Sequence, residues 1–265
     1  MNNPFRVLPC YLKFSFLLLV FTAGCTSAAE DCLFQYSTIN ALLEGYFHGD
    51  MTYKKLQRKG DFGIGTFNHL DGEMLALDGF FYQIKADGKA YPVSPETRTP
   101  FAMVSFFRSE REATVPAKLT YPELEKFLDN KIDGSQLIYA IRIEGEFKQL
   151  KLRSIPAQKP PYKRLADVQA KDQVVFRHQN AKGTLVGYRF PSFMGNLNVS
   201  GYHFHFIDDK RQFGGHVMEL EIITGLAKLD SLSSFKMKLP RDKAFSDLTL
   251  DKADKAELKK IEKGS

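Results

Sequence analysis

Residues 63–93 read GIGTFNHLDGEMLALDGFFYQIKADGKAYPV. Short runs rich in Phe, Tyr, Ile and Leu alternate there with Asp71-Gly72, Asp78-Gly79 and Asp87-Gly88. An Asp-Gly pair tolerates the positive φ values of tight hairpin turns, so three of them between apolar runs predict a β-meander. Upstream, Ser37 or Thr38 is placed to cap a short helix through Leu43 that ends at Gly45, and Thr52 a basic one ending near Gly60. Downstream, Pro92, Pro95 and Pro100 mark a loop, Phe101 to Phe107 reads as a strand, and Pro122 opens a helical stretch through Leu128. Residues 137–143 and 146–153 read as a hairpin, and Pro156, Pro160 and Pro161 then break the pattern, since proline cannot serve a central strand. A helical segment at 164–171 precedes strands near 173–178, 183–190, 201–207, 216–223 and 233–238. The strands cluster and the helices are short. The expected fold is therefore α+β (mixed α/β), with two packed β-sheet units, one over 33–160 and one over 161–265, rather than alternating βαβ units.

The chain has 265 residues, 43% hydrophobic and 26% charged, which excludes a disordered polyelectrolyte and permits substantial cores. Arg6 and Lys13 precede an apolar run, Phe14 to Phe21, interrupted only by Ser15. The run is too short for a permanent membrane helix, and small residues follow it, so residues 1–28 are expected to be a signal peptide and the protein exported. Two cuts compete. Thr26-Ser27-Ala28 fits a small-x-small site, whereas Thr22-Ala23-Gly24-Cys25 resembles a lipoprotein box that would lipidate Cys25, with Thr22 where Leu is usual. A lipid anchor there would be the only membrane attachment.

Removal of residues 1–24 takes away two cations and no carboxylates, leaving 35 basic against 31 acidic side chains. The surplus lies in acid-interleaved stretches such as Lys252 to Lys263, a solvated face and not a nucleic-acid stripe. Of three cysteines, Cys10 lies in the leader, Cys25 at its edge, and Cys32 remains without a His or Cys close in sequence. Neither a disulfide framework nor a cysteine nucleophile is expected. Asn198-Val199-Ser200 matches a glycosylation sequon, which carries no weight beside a bacterial-type export signal.

Three of the six histidines fall in Gly201-Tyr202-His203-Phe204-His205-Phe206 and Gly214-Gly215-His216. Side chains alternate along a strand, so His203 and His205 share a face with Cα atoms roughly 6.7 Å apart. Asp208 to Gly215 suits a reversing loop that returns His216 antiparallel to them. Three imidazoles leave a coordination position open, as catalytic zinc sites do, although imidazole also suits copper, nickel or iron.

Leu33-Phe34-Gln35-Tyr36-Ser37-Thr38-Ile39-Asn40-Ala41-Leu42, Gly63-Ile64-Gly65-Thr66, Leu70-Asp71-Gly72-Glu73, Gly183-Thr184-Leu185-Val186-Gly187 and the histidine segment together resemble bacterial acetolactate decarboxylases, over about residues 33–262. The resemblance implies a dimeric two-domain α/β protein that converts (S)-2-acetolactate to (R)-acetoin and carbon dioxide, in acetoin biosynthesis. It places Zn2+ on His203, His205 and His216. It also implies active-site roles for Glu73, Thr66 and Arg153, the last in Lys151-Leu152-Arg153-Ser154. A further carboxylate near the C-terminus matches Glu262, with Glu257 the competitor, so the tail is expected to return to the active site. Two other readings share the histidines. A cupin-type metal oxygenase normally carries a Glu shortly after its first His pair, where this chain has Asp208 and Asp209. An exported, non-catalytic zinc-binding protein needs neither Arg153 nor Glu73. His48, His69 and His178 are assigned no role.

Overall fold

The computed structural model describes Met1 and residues 31–250. The leader with Cys10 and Cys25, and the tail with Glu257 and Glu262, lie outside the described residues. The fold is mixed α+β, with two large sheets, a two-stranded ribbon of Met51–Thr52 and Arg98–Thr99, and a few short helices. No helix among the described residues is long and apolar enough to cross a membrane.

The first sheet has seven strands, in spatial order Ser234–Lys238, Cys32–Tyr36, Ala102–Ser105, Phe62–Thr66, Glu73–Leu77, Phe80–Ile84 and Ala90–Pro92. Phe62–Thr66, Glu73–Leu77, Phe80–Ile84 and Ala90–Pro92 are the expected meander, paired antiparallel in succession. Asp78 and Gly79 take φ of 53° and 80°, as a tight turn between Leu77 and Phe80 requires. Thr38 caps the helix Ile39–Leu43 by accepting from Ala41 N at 3.2 Å. The second expected helix stops at Leu56, because Asp61 N donates to Ser105 O and draws the chain into the sheet.

The second sheet departs from the sequence reading in the length of its strands and in where they belong. The expected hairpin at 137–153 does not exist: Ile138–Ser154 is a single strand. Gly145, read as its turn, pairs with Gly183 on one side and Gly225 on the other. A Cβ on Gly145 would lie 2.4 Å from Thr224 O, so this glycine permits close backbone approach and not reversal. The strand bends through register shifts after Glu146 and Phe147. Val174–Phe190 likewise runs unbroken through both strands expected there. Ile138–Ser154 pairs with Val174–Phe190, which pairs with Gly201–Asp208, which pairs with the start of Gly214–Leu232, which pairs back to Ile138–Ser154. The four strands thus close into a ring.

Sheet membership does not follow the break at Pro156 to Pro161. Ile138–Ser154 belongs to the ring, while Ser234–Lys238 returns to pair in parallel with Cys32–Tyr36 in the first sheet. Inside the ring, Tyr202, Phe204, Phe206, Leu152 and Val217 form one core, covered by Leu124 and Leu128 of the helix Tyr121–Asp129. Between the ring and the first sheet, Ile64, Leu75, Ile84 and Met103 meet Val186, Tyr188 and Ile207 in another. Asn198 of the sequon is fully buried and donates to Gln35 Oε1 at 2.7 Å, so it is no glycan acceptor in the folded chain.

Asp230 is a buried carboxylate in this scaffold. Its Oδ2 accepts from Arg108 N at 2.9 Å, its Oδ1 has no partner among the described residues, and burial pushes it up to about 7. The folded state therefore holds this proton more tightly than the unfolded chain. Its contribution to stability is full below the ordinary value of 3.8 and is lost as the pH rises to about 7. Asp230→Asn should remove that dependence, so its stability relative to the parent should improve by about 1.4 kcal/mol per pH unit across this window. Urea unfolding of both proteins at pH 5 and pH 8 measures the difference, and a difference independent of pH would contradict it.

Candidate metal centre

His203 and His205 lie on Gly201–Asp208, facing the first sheet, while Tyr202, Phe204 and Phe206 point into the ring. The turn after them is set by Asp208, whose carboxylate accepts from Lys210, Gln212 and Phe213 backbone N–H groups at 3.0, 2.6 and 2.8 Å. Gly214 and Gly215, expected inside the loop, already pair with Ile207 and Phe206 in the sheet. Gly215 is required there because a Cβ would lie 2.8 Å from Arg153 O. The next residue, His216, is opposite His205 on one side and Arg153 on the other. Three polar side chains therefore stand in one row across adjacent strands, with His203 two residues along.

All three histidines are buried, and one nitrogen of each lies within 4.8 Å of those of the other two. His203 Nε2 and His216 Nδ1 are 3.1 Å apart. Two nitrogens bound at 2.0–2.1 Å in a tetrahedron stand roughly 3.3 Å apart, so the spacing fits a zinc-sized ion. His205 Nδ1–H donates to Met74 O at 2.8 Å, which fixes the tautomer and leaves Nε2 as the ligand atom. Burial, reinforced by the charge of Arg153, pushes His203 down to about 3. Burial and its histidine and arginine neighbours hold His205 well below the usual imidazole range. Both rings are neutral near pH 7 and keep the lone pairs that a cation needs. The donor set thus fits a metal ion.

The first sheet supplies the facing wall. Glu73 opens the strand Glu73–Leu77 opposite Thr66, and Thr66 Oγ1 donates to Gly72 O at 2.7 Å, tying down the turn that precedes Glu73. Arg153 Nη1 donates to Glu73 Oε1 at 3.1 Å, and the other Glu73 oxygen lies 3.5 Å from His205 Nε2. Glu73 and Arg153 are 8% and 5% exposed, so their opposite charges meet with little water to screen them. The six described residues singled out from the sequence therefore line one cavity: His203, His205, His216, Glu73, Arg153 and Thr66. Its apolar wall, from Ile39, Leu42, Leu70, Phe101, Ile155 and Leu165, was not anticipated. Those residues come from separate segments whose periodicity signals only burial. The positive φ of His69 and Leu70, 65° and 57°, that turns Leu70 inward has no glycine to announce it.

The profile of the family described as alpha-acetolactate decarboxylase matches residues 33–252. The chain is 47% identical over 235 residues to an alpha-acetolactate decarboxylase of Methanosarcina mazei, covering 89% of this chain and 81% of that protein. An alpha-acetolactate decarboxylase of Bacillus subtilis is 37% identical over 222 residues, covering 84% and 87%. The crystal structure of alpha-acetolactate decarboxylase from Bacillus subtilis superimposes with a TM-score of 0.85 at 36% identity, over 88% of this chain and all of that one.

Metal retention tests the centre independently of any reaction. Zinc-loaded protein should keep one ion per chain through dialysis. His205→Ala and His216→Ala should weaken binding by more than the roughly 10–100-fold that loss of an outer partner costs. Elemental analysis reads the result, and full occupancy in both variants would rule out this ligand set.

Proposed function

As the chain belongs to the alpha-acetolactate decarboxylase family, we propose that it converts (S)-2-acetolactate to (R)-acetoin and carbon dioxide, with a zinc ion held by His203, His205 and His216. The observation that carries this reading is the meeting of three imidazoles, a guanidinium and a carboxylate in one buried pocket. A protein that merely stored zinc would have no use for the Arg153–Glu73 pair beside the ligands.

Decarboxylation breaks the bond between C2 and the carboxyl carbon. The electron pair left on C2 passes into the neighbouring ketone, giving an enediolate, and C2 then takes up a proton. A zinc ion on three imidazoles supplies a Lewis acid for the developing oxyanion. Arg153 suits the substrate carboxylate, because a guanidinium grips it through two parallel hydrogen bonds and so orients the bond that breaks. Glu73 holds that guanidinium in place. As carbon dioxide leaves, the negative charge that the carboxylate carried passes onto the ketone oxygen.

The proton would come from a carboxylic acid, Glu73 or Glu262. Glu73 stands between Arg153 and His205, within reach of both. Thr66 holds the turn before it and lines the substrate space. The aliphatic wall excludes water and accommodates the two methyl groups. Leu250 O accepts from Asn40 Nδ2 at 3.3 Å, on the helix whose Ile39 and Leu42 line the pocket, which supports a second carboxylate supplied by the sequence that follows. Arg6, Lys13 and the apolar run after them support a reaction that takes place after export, and the family resemblance alone supports a homodimer.

The mature protein incubated with racemic 2-acetolactate should release acetoin of one hand and carbon dioxide in equal amounts. Folded, zinc-loaded protein that releases neither would refute the assignment. Arg153→Lys should cost about 100-fold in kcat/KM, through lost bidentate orientation. Glu73→Gln and Glu262→Gln separate the proton donors: the donor's variant should lose roughly 10²–10⁴-fold in kcat. Equal, small losses in both would remove general acid catalysis by either.

A further inference from the structure

Between the strands Phe62–Thr66 and Glu73–Leu77 the chain passes through the short turn Asn68–Leu70. His69 and Leu70, with φ of 65° and 57°, are the only two neighbouring non-glycine residues among those described that both take left-handed backbone. Such values are uncommon for any L side chain and least expected of a bulky one. They persist only where the surroundings over-determine them.

The surroundings do so here from four sides. Asn68 pairs with a loop much as a backbone would: its Oδ1 accepts from Gly49 N at 2.9 Å and its Nδ2 donates to Gly49 O at 3.0 Å. His69 N donates to Phe47 O at 2.6 Å, and His69 O accepts from Gln158 N at 2.7 Å. The exposed His69 ring shares a hydrogen bond of 2.6 Å between its Nδ1 and Tyr162 Oη, and the Tyr162 ring meets Phe47 edge to face, with centroids 5.3 Å apart. None of Phe47, Gly49, Gln158 and Tyr162 lines the metal pocket.

Leu70 does line it, and is buried there. The rest of the apolar wall has ordinary backbone: Ile39, Leu42 and Leu165 stand on the helices Ile39–Leu43 and Leu165–Asp172, and Phe101 and Ile155 adjoin strands. Leu70 alone in that wall reaches the cavity from a left-handed turn. Because φ sets the side of the chain on which Cβ stands, relaxing residues 69 and 70 to common values would redirect Leu70. Glu73 has separate anchors, since Thr66 Oγ1 donates to Gly72 O at 2.7 Å and Gly72 N donates to Ile155 O at 2.9 Å. The turn can therefore loosen while the carboxylate stays.

We propose that Leu70 is a specificity-determining residue that limits the size of the alkyl groups admitted beside the metal ligands, and that Asn68 and Tyr162 are positioning residues that hold the left-handed turn and so keep Leu70 in the pocket. This rests on the proposed decarboxylation, whose substrate carries two methyl groups.

The test compares 2-acetolactate with its homologue carrying ethyl in place of the C2 methyl. One methylene in an apolar pocket is worth roughly 10–200-fold in kcat/KM. Leu70→Ala should raise the homologue's kcat/KM relative to that of 2-acetolactate at least about tenfold. Asn68→Ala and Tyr162→Phe should move the ratio the same way by about two- to fivefold, with zinc content unchanged. In a Leu70→Ala background, Asn68→Ala should add less than about twofold, because no side chain remains to be aimed. An unchanged ratio in Leu70→Ala, or losses in Asn68→Ala and Tyr162→Phe that are equal for both substrates, overturns the proposal. Calorimetric binding of 2-hydroxy-2-methylpropanoate and 2-ethyl-2-hydroxybutanoate to the zinc-loaded protein reads the same limit without turnover. The smaller acid should bind the parent more tightly, and Leu70→Ala should narrow the gap. A narrowed gap beside a parent that releases no acetoin refutes the decarboxylation and leaves the size limit standing, whereas an unchanged gap overturns the size limit whether or not the protein is active.

Discussion

His216 is paired into the sheet on both sides, with Arg153 on one neighbouring strand and His205 on the other. That double pairing closes the ring of four strands, and it also brings two ligands and the guanidinium into a single row. The row is reproducible because backbone hydrogen bonds set its spacing, and side chains in register on adjacent strands stand about 5 Å apart. A one-residue slip on either side would turn His216 into the aromatic core. The fold and the site are therefore fixed by the same hydrogen bonds, and the aromatic residues inside the ring hold the register by burying the opposite face.

Burial would make such a row costly if its charges were unmatched. His203 and His205 avoid the cost by staying neutral, since burial holds both below the usual imidazole range. Arg153 has no such option, since guanidinium does not give up its proton, and Glu73 supplies the compensating charge across the sheet interface. The first sheet thus contributes more than a lid. It delivers the counter-charge and the carbonyl that fixes the His205 tautomer, so the pocket lies where the two sheets meet.

The histidines were legible in the sequence because their geometry is local: period-two alternation aligned His203 with His205, and a short polar loop returned His216. The meander was legible for the same reason, each Asp-Gly pair deciding its own turn. The long strands were not. Gly145 looks like a hairpin turn, and only its neighbours Gly183 and Gly225 across the sheet reveal a close backbone contact. Arg111–Val115 was missed because its charged, half-exposed residues lack an apolar run. It is a strand only because Gly225 to Leu229 offers it an edge. Glu73, Arg153 and Thr66 were recognised by resemblance alone. Nothing in their local sequence says that residues 66, 73 and 153 meet, since that contact depends on how one sheet lies on the other.

The central claim is that this meeting of sheets makes a metal-dependent decarboxylase. Stripping the protein of metal and restoring zinc in steps, while following acetoin release from 2-acetolactate, tests it most directly. The account predicts negligible release from the stripped protein and a linear rise that stops at one ion per chain. Full activity in the stripped protein, or no activity at one ion per folded chain, would contradict it.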